Sequence, residues 1–306
     1  MVMKTCKLIF ALTVVIMAFN MSLMAQQHPL YAQYMSNGMV INPAYPSLDT
    51  AASVTLVGRN QWVGMEGAPK TGTFSFYTPV KATNTSLGLM VFQDKITIYS
   101  QTGFHFNISQ KVKLSDHLNL ALGIQGGMQQ FKEDNSQLAA GDDYVFADDK
   151  RYWKTDIGFG FMLYNEHFFV GFSAPSFQNF DLGTSENKVE FKRHLYLQTA
   201  YIFTLNKDVK LKPGLLMRQA PGAGVNFDIS ASCLLKDVIW LGLNWRTEKT
   251  TAAFAQVQIN KNLLFGYSYD FDNNNYLKSY QSGTHELSVN YRFSWKKDKP
   301  VTQRMF

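Results

Sequence analysis

The sequence predicts an all-β fold, a transmembrane antiparallel β-barrel of about 14 strands with an N-terminal plug-like segment. Three observations support this prediction. Apolar and polar residues alternate along most of the chain, short turn signals separate the alternating runs, and the chain is 14% aromatic but only 17% charged. A barrel has this composition because one face of each strand meets lipid while the other lines a polar interior.

The run near the C-terminus shows the alternation most clearly. Leu287, Val289 and Tyr291 share one face of a predicted strand, and Glu286 and Asn290 share the other. Neither a helix nor a sheet buried on both faces explains this period of two. Comparable runs predict strands at residues 51–59, 72–79, 86–94, 98–111, 117–131, 153–164, 167–174, 194–205, 208–218, 223–235, 238–247, 250–260, 262–271 and 283–295.

The connections between these runs alternate between short and long. Residues 206–208 and 236–237 read as tight turns, whereas residues 132–152, 175–193 and 272–282 are long and polar. Outer-membrane barrels carry short turns at the periplasmic rim and longer loops outside, so we expect the same asymmetry here. A soluble β-sandwich or solenoid is the alternative, but it does not explain aromatic residues at predicted strand ends, which suit interfacial girdles: Trp153, Trp240, Trp245, Tyr291 and Trp295.

The N-terminus reads as a cleavable signal peptide covering residues 1–25. Lys4 and Lys7 precede an apolar run at residues 8–19, and Ala25 precedes a polar stretch. A permanent helical anchor is the alternative, but the run is shorter than the ~20 residues that a spanning helix needs. Cys233 then stays as the one cysteine of the mature chain, so no intramolecular disulfide is expected.

Three regions follow the signal peptide in this interpretation. Residues 26–50 form an N-terminal plug or a periplasmic arm, because two prolines in an apolar stretch break regular structure. Residues 51–295 form the outer-membrane barrel, and residues 296–306 form a basic C-terminal tail.

The sequence contains no pattern typical of an enzyme. Its six histidines are scattered without H-E-x-x-H spacing, and the stretch that begins at Asp270 fails the calcium-loop pattern at its sixth and twelfth positions. We therefore predict no catalytic residue, no metal and no cofactor. The 29 basic and 23 acidic residues form no basic stripe, which argues against a nucleic-acid partner.

Two short segments are the candidate functional sites. The first joins two predicted strands and combines an aromatic residue, a cation and residues that shape the backbone: Gln61, Trp62, Gly64, Gly67, Pro69 and Lys70. We interpret it as a partner-binding rim, and the alternative is an interfacial tryptophan beside a solvated lysine. The second is the candidate plug, with Asn42, Pro43 and Tyr45.

Several blocks of the sequence resemble the PorP/SprF family of the type IX secretion system. These blocks are spread over almost the whole mature chain, and they lie at residues 34–35, 41–45, 61–64, 67–71, 87–89, 94–95, 265–270 and 283–287. Thr284 replaces a serine of the family pattern, and the chain continues past Phe293 into its basic tail.

The resemblance implies an outer-membrane barrel, embedded in outer-membrane lipid, that aids secretion, surface attachment or gliding-adhesin display. The implied partners are a secreted client protein with a type IX sorting domain, a periplasmic peptidoglycan-associated lipoprotein and other secretion components. The alternative is a FadL-like transporter of apolar small molecules, a family with a similar strand number and an Asn-Pro-Ala near its N-terminal hatch. Asn42-Pro43-Ala44 fits both families, whereas the motif at residues 61–71 fits only the first.

Overall fold

The structure is a computed structural model that describes residues 31–80, 83–137, 148–177, 180–182, 189–222, 224–247, 249–272 and 280–295. The predicted signal peptide, residues 26–30 and the basic tail lie outside the described residues. Within the described part, no helix is long and apolar enough to cross a membrane.

The described residues are mostly β-structure, as the alternation predicts. The strands are β1 (Ala52–Asn60), β2 (Lys70–Pro79), β3 (Thr85–Ile96), β4 (Tyr99–Ser115), β5 (Leu118–Glu133), β6 (Lys150–Tyr164), β7 (Phe168–Ala174), β8 (Phe180–Leu182), β9 (Val189–Phe191), β10 (Leu195–Tyr201), β11 (Phe203–Asn206), β12 (Val209–Gln219), β13 (Asn226–Leu235), β14 (Ile239–Arg246), β15 (Thr250–Gln258), β16 (Leu263–Asp272) and β17 (Thr284–Phe293).

All of these strands except β8 and β9 form one closed antiparallel sheet. The first strand pairs with the last, β1 with β17, and β10 pairs with both β7 and β12. Strands β10 and β11 keep one register against β12, because Ala200 faces Gly214 and Phe203 faces Leu211. They act as one strand interrupted beside Pro213, which lacks a backbone N–H. The barrel thus has 14 strands, which confirms the prediction, and β8 and β9 form a separate hairpin.

The two faces of the barrel wall differ as the alternation predicts. On β13, Ile229 is 52% exposed on the outer face, while its neighbour Ser230 is 2% exposed on the inner face. Four of the five aromatic residues assigned to interfacial girdles are exposed on the outer face. The assignment of Trp240 is wrong, because its side chain is buried inside the barrel beneath the Lys212 ammonium, with Nζ 4.6 Å from the ring centroid.

The two rims of the barrel carry different connections. One rim, here the long-loop rim, holds the connections at residues 61–69, 134–149, 175–194 and 273–283. The opposite rim, here the short-turn rim, holds turns at residues 80–84, 116–117, 165–167, 207–208, 236–238 and 259–262, and β1 begins and β17 ends there. The long connections are therefore confined to one rim, as predicted, but that rim also carries the shorter connections at residues 97–98, 220–225 and 247–249.

Residues 31–50, here the interior segment, pack inside the barrel before β1 begins. Three short 3₁₀ helices, Tyr34–Ser36, Gly38–Val40 and Tyr45–Leu48, shape this segment without any strand. Most of its side chains are buried, among them Met39 and Asn42 at 1% and 0% exposure. The segment and the inner wall together form the apolar core clusters of the protein.

Candidate functional site

The motif at residues 61–71 forms the loop that joins β1 to β2 on the long-loop rim. Gln61 N donates to Pro69 O at 2.9 Å and closes the base of the loop. Val63 N donates to Gly283 O at 2.9 Å, and Ser282 N donates to Val63 O at 2.7 Å. These bonds fix the loop to the chain just before β17, so the motif is a preorganised structure.

Trp62 has an unusual backbone conformation for a large side chain. Its φ is +48°, in the left-handed region, and its N donates to Thr284 Oγ1 at 3.1 Å. Such a conformation costs a non-glycine residue ~1–3 kcal/mol and points to a function when the surroundings enforce it. Gly64 and Gly67 have φ of +98° and +72°, which explains two glycines of the motif.

The other flank of the loop rests on the turn between β3 and β4. Thr97 N donates to Gly67 O at 2.9 Å, and a Cβ on Gly67 would lie 2.8 Å from Thr97 Oγ1. Gly67 is therefore required both for its positive φ and for this close approach. Lys70 begins β2 and is exposed on the outer face of the barrel, away from the interior.

Separate sequence blocks meet beside this loop. Tyr269 Oη donates to Ser282 O at 2.9 Å, and Tyr267 Oη lies 2.8 Å from His285 Nδ1. The blocks at residues 265–270 and 283–287 therefore lie side by side on β16 and β17, and the loop at residues 61–71 contacts the second of them.

A buried network of charges lies on the inner wall just below the loop. Arg59 donates to Asp270 Oδ2 at 2.6 Å and to Glu286 Oε2 at 3.0 Å. Arg246 lies 3.4 Å from Asp270 and 3.0 Å from Asp228, which also accepts from Arg218 at 2.8 Å. Three guanidinium groups and three carboxylates thus alternate around the wall from β1 and β17 to β12.

This network holds the start of the interior segment. The backbone N of Ala32 and of Gln33 each donate to the Glu286 carboxylate at 2.8 Å. Arg246 Nη2 donates to Tyr31 O at 2.6 Å. The charges therefore pair with one another and bind backbone groups that would otherwise be buried without partners, although Arg59 Nε and Asp270 Oδ1 make no hydrogen bond.

Sequence reasoning missed the network as a site. Asp270 enters the sequence analysis as the start of a failed calcium-loop pattern and as part of the family-like block at residues 265–270, and neither reading pairs it with Arg59. The signal was present, because a charged residue on the polar face of an alternating run must point into the barrel. Which arginine pairs with which carboxylate could not be predicted from the sequence, since several of these pairs join strands that lie far apart in the chain.

The candidate plug residues contact the opposite wall. Asn42 Nδ2 donates to Phe161 O at 3.2 Å and to Phe172 O at 3.3 Å, and Asn107 Nδ2 donates to Pro43 O at 2.8 Å. The wall leaves room for them, since a Cβ on Gly123 would lie 2.2 Å from the Pro43 carbonyl carbon. The two candidate sites are thus distinct.

Two further contacts fix the end of the interior segment. The ring of Tyr45 covers Gly38 and meets the ring of Tyr77 edge-on, with centroids 6.4 Å apart. Asp49 accepts from Arg292 at 3.0 Å and 2.6 Å and from Tyr77 Oη at 2.9 Å. The segment is therefore bound at both ends, by Glu286 towards one rim and by Arg292 towards the other.

A cavity lies between the interior segment and the wall on the long-loop side. Its empty volume, including space open to solvent, is about 740 Å³, and its lining is mixed. His105 Nε2 lies 3.2 Å from Asp156, which also accepts from Gln129 at 2.8 Å. Burial lowers the pKa of His194 on its edge to about 4, against the opposing effect of its hydrogen bond to Lys192 O.

The described residues contain no group of three or more His, Cys, Asp or Glu side chains that could hold a metal ion. A closed 14-strand barrel with an apolar outer face and a polar, filled interior is the architecture of an outer-membrane β-barrel. The model of the family "Type IX secretion system membrane protein PorP/SprF" matches residues 23–291. The chain belongs to this family and is an outer-membrane protein.

Solved structures share the fold at low sequence identity. The "CymD monoaromatic hydrocarbon channel" is 10% identical with a TM-score of 0.55, and the match covers 86% of this chain and 94% of that one. Omp33 of Acinetobacter baumannii is 9% identical at a TM-score of 0.48, with 81% and 100% covered. A Pseudomonas aeruginosa FadL homologue is 10% identical at 0.48, with 83% and 93% covered. The CymD match supports the barrel fold alone.

No curated protein sequence matches the chain significantly.

Proposed function

We propose that this barrel aids the secretion or surface attachment of a cognate client protein and that it does so without catalysing a reaction. One observation carries the proposal. Loop residues 61–69 form a preorganised surface on the long-loop rim, bonded to Ser282, Gly283 and Thr284. Family membership links the barrel to the type IX secretion system, and the loop is the surface that contacts the client in this proposal.

Within this surface, Trp62 is the proposed anchor. Aromatic residues on a preorganised loop dominate many protein interfaces, because they bury a large area at a small entropic cost. Gln61, Gly64, Gly67 and Pro69 set the shape of the loop around it, and Lys70 lies at its edge nearest the lipid.

The proposed role of the interior segment, including Asn42, Pro43 and Tyr45, is to close the barrel lumen. Hydrogen bonds join this segment to β17 on one side and to β6 and β7 on the other. A client therefore meets the rim surface and does not pass through this barrel. We further propose that the periplasmic lipoprotein and other secretion components contact the short-turn rim.

The transporter of apolar small molecules is the weaker alternative. The cavity above the interior segment favours it, since Tyr34, Phe92 and Tyr196 line part of that space. Asp156, Arg218 and Asp228 also line the same cavity. An apolar cargo offers no hydrogen bond to charged side chains, so this polar part of the lining disfavours it.

Surface proteomics on intact cells tests the proposal. Proteins that leave the surface when the barrel gene is deleted define its clients. We expect Trp62→Ala to lower the surface level of a client at least fivefold while the heat-resistant folded barrel stays at its normal level.

Trp245→Ala is the matched control, because Trp245 is 47% exposed on the outer face near the same rim but in the other half of the barrel. It should leave client display unchanged. Normal display with Trp62→Ala would overturn the partner surface, and a parallel loss of folded barrel in both variants would assign Trp62 to the membrane interface instead.

A further inference from the structure

A row of cations crosses the outer face of the barrel at the long-loop rim. Lys70 on β2 is the register partner of Lys95 on β3, and Lys95 is the partner of Ser100 on β4. Ser100 is the partner of Lys132 on β5, which in turn faces Arg151 on β6. Five neighbouring strands thus present four cations along one line of register partners on the outside of the barrel, a line that is inclined to the membrane plane because the strands of such barrels are tilted.

The row contains two pairs of like charges placed directly opposite each other, Lys70 with Lys95 and Lys132 with Arg151. Such cross-strand pairs are destabilising by themselves. Lys132 has a carboxylate partner in Asp134. Asp149 interacts electrostatically with both Lys132 and Arg151. No ion pair with a described residue is present for Lys70 or Lys95, so the four cations outnumber these two carboxylates and the row keeps a net positive charge that an external anion can neutralise.

The depth of the row fits a lipid headgroup. One step towards the barrel middle, the outer face carries Gln93, Thr102, Gln130 and the exposed Trp153, which are register partners of one another. The next steps carry apolar side chains, among them Phe104 and Phe106 at 46% and 68% exposure. Tryptophan marks the membrane interface, so the cations lie just beyond the hydrocarbon.

Outward cations on the strands near this rim are confined to one half of the barrel. On β13 to β16, in the other half of the barrel, the outward strand residues nearest the same rim are Phe227, Trp245, Thr251 and Phe271, and none of them carries a charge; the exposed Lys249 lies beyond them in the turn between β14 and β15. A general attraction to an anionic surface would not need four cations on five adjacent strands. The pairs flank β4, so their centres lie on the order of 15 Å apart at ~4.8 Å per strand.

We propose that this row binds the phosphate groups of an outer-leaflet glycolipid whose disaccharide headgroup carries two phosphates. Lys70 and Lys95 hold one phosphate, and Lys132 and Arg151 hold the other. Arginine binds phosphate in a bidentate manner and lysine as a point charge, which suits both pairs. The long loops of such barrels face the outside, which places the row at the outer leaflet. This inference does not depend on the proposed client.

Lipid binding by the purified full-length barrel tests the proposal. The barrel in zwitterionic detergent is titrated with bisphosphorylated lipid A, and bound lipid is counted by native mass spectrometry. The variant combines Lys70→Gln, Lys95→Gln and Arg151→Gln. The control combines Lys207→Gln, Lys236→Gln and Lys261→Gln, three exposed cations in the turns of the opposite rim.

We expect the first variant to bind lipid A roughly 100-fold more weakly, at about fivefold per cation, and the control to bind like the wild type. Monophosphorylated lipid A should bind the wild type about 25-fold more weakly, since one pair of cations stays unoccupied. Should the triple variant fail to fold, Arg151→Gln alone should lose about fivefold, and Arg151→Lys should retain most of the affinity.

Three results would overturn the proposal. The first is wild-type affinity for lipid A in the folded triple variant or in folded Arg151→Gln. The second is an equal loss in the control, which would indicate unspecific charge attraction. The third is unchanged lipid A binding combined with loss of an acidic client segment, which would make the row a protein interface.

Discussion

Arg59 and Glu286 are direct register partners across the seam between the first and the last strand, and their side chains form an ion pair of 3.0 Å inside the barrel. The same carboxylate accepts two backbone N–H groups of the interior segment. One buried side chain thus joins the closing seam of the barrel to the segment that it encloses.

Breaking this pair should be costly. Because removal of one partner leaves a buried charge uncompensated, we expect Glu286→Gln to lower the free energy of unfolding by ~3–5 kcal/mol. Urea unfolding of the folded barrel in lipid measures this. Lys113→Gln is the control, since its pair with Asp116 is exposed and contributes at most ~1 kcal/mol.

A double-mutant cycle decides whether the seam pair itself carries the effect. Arg59→Gln combined with Glu286→Gln should destabilise less than the sum of the two single changes, because the double variant leaves neither charge alone. Strict additivity would show that Glu286 acts only through the backbone groups of Ala32 and Gln33.

The fit of the interior segment against β5 can be tested with two glycines of one strand. A methyl group on Gly123 would meet the backbone of Pro43 and Ala44 at 2.2–2.3 Å, whereas one on Gly126 would meet nothing within 4 Å. Gly123→Ala should therefore displace the segment and raise the single-channel conductance in planar bilayers. Gly126→Ala should leave the conductance unchanged, and equal conductance in both variants would contradict a lumen closed by this segment.

A charged residue placed on the outer face should destabilise the barrel, and the loss of stability should be largest near the middle of the membrane. Ile229→Arg should lower barrel stability by ~2–4 kcal/mol, because arginine then enters the hydrocarbon. Gln93→Arg lies on the same face near the rim and should cost ~0–1 kcal/mol. The yield of heat-resistant barrel in outer membranes measures both, and equal losses would speak against a lipid-facing surface at Ile229.

Orientation in the membrane can be read from thiol labelling after Cys233→Ala. A cysteine at the exposed Glu66, on the long-loop rim, should react with an impermeant reagent on intact cells. A cysteine at Lys207, in a turn of the short-turn rim, should react only after permeabilisation. The reverse pattern would place the long loops in the periplasm.

Most of the barrel was predictable because the alternation of apolar and polar residues along a strand is a local pattern. A residue such as Ile229 beside Ser230 reveals its face by its own polarity, and the predicted strands match the observed ones to within a few residues. Trp240 is the exception, since its ring points inward and lies against the ammonium group of Lys212 on β12, two strands away. That partner is not visible in the local pattern.

The interior was predictable only in outline. The prolines at positions 43 and 46 indicated a segment without strands, and its apolar character indicated burial. The contacts of Asn42 with β6 and β7 and of Gln33 with β17 depend on the curvature of the closed wall, which brings distant strands to one segment. Trp62 was identified from its motif, but its left-handed backbone follows from bonds to residues more than 200 positions later.

The attachment of residues 31–50 to Glu286 also constrains the order of biogenesis. The segment emerges before any strand, yet its acceptor lies on the final strand, 254 residues after Ala32. A barrel that had already closed could admit the segment only through one of its open ends. We therefore expect β17 to pair with β1 while the segment already lies inside the forming barrel. The strands then assemble around the segment. A chain that lacks the segment would close its barrel slowly even if every strand were intact.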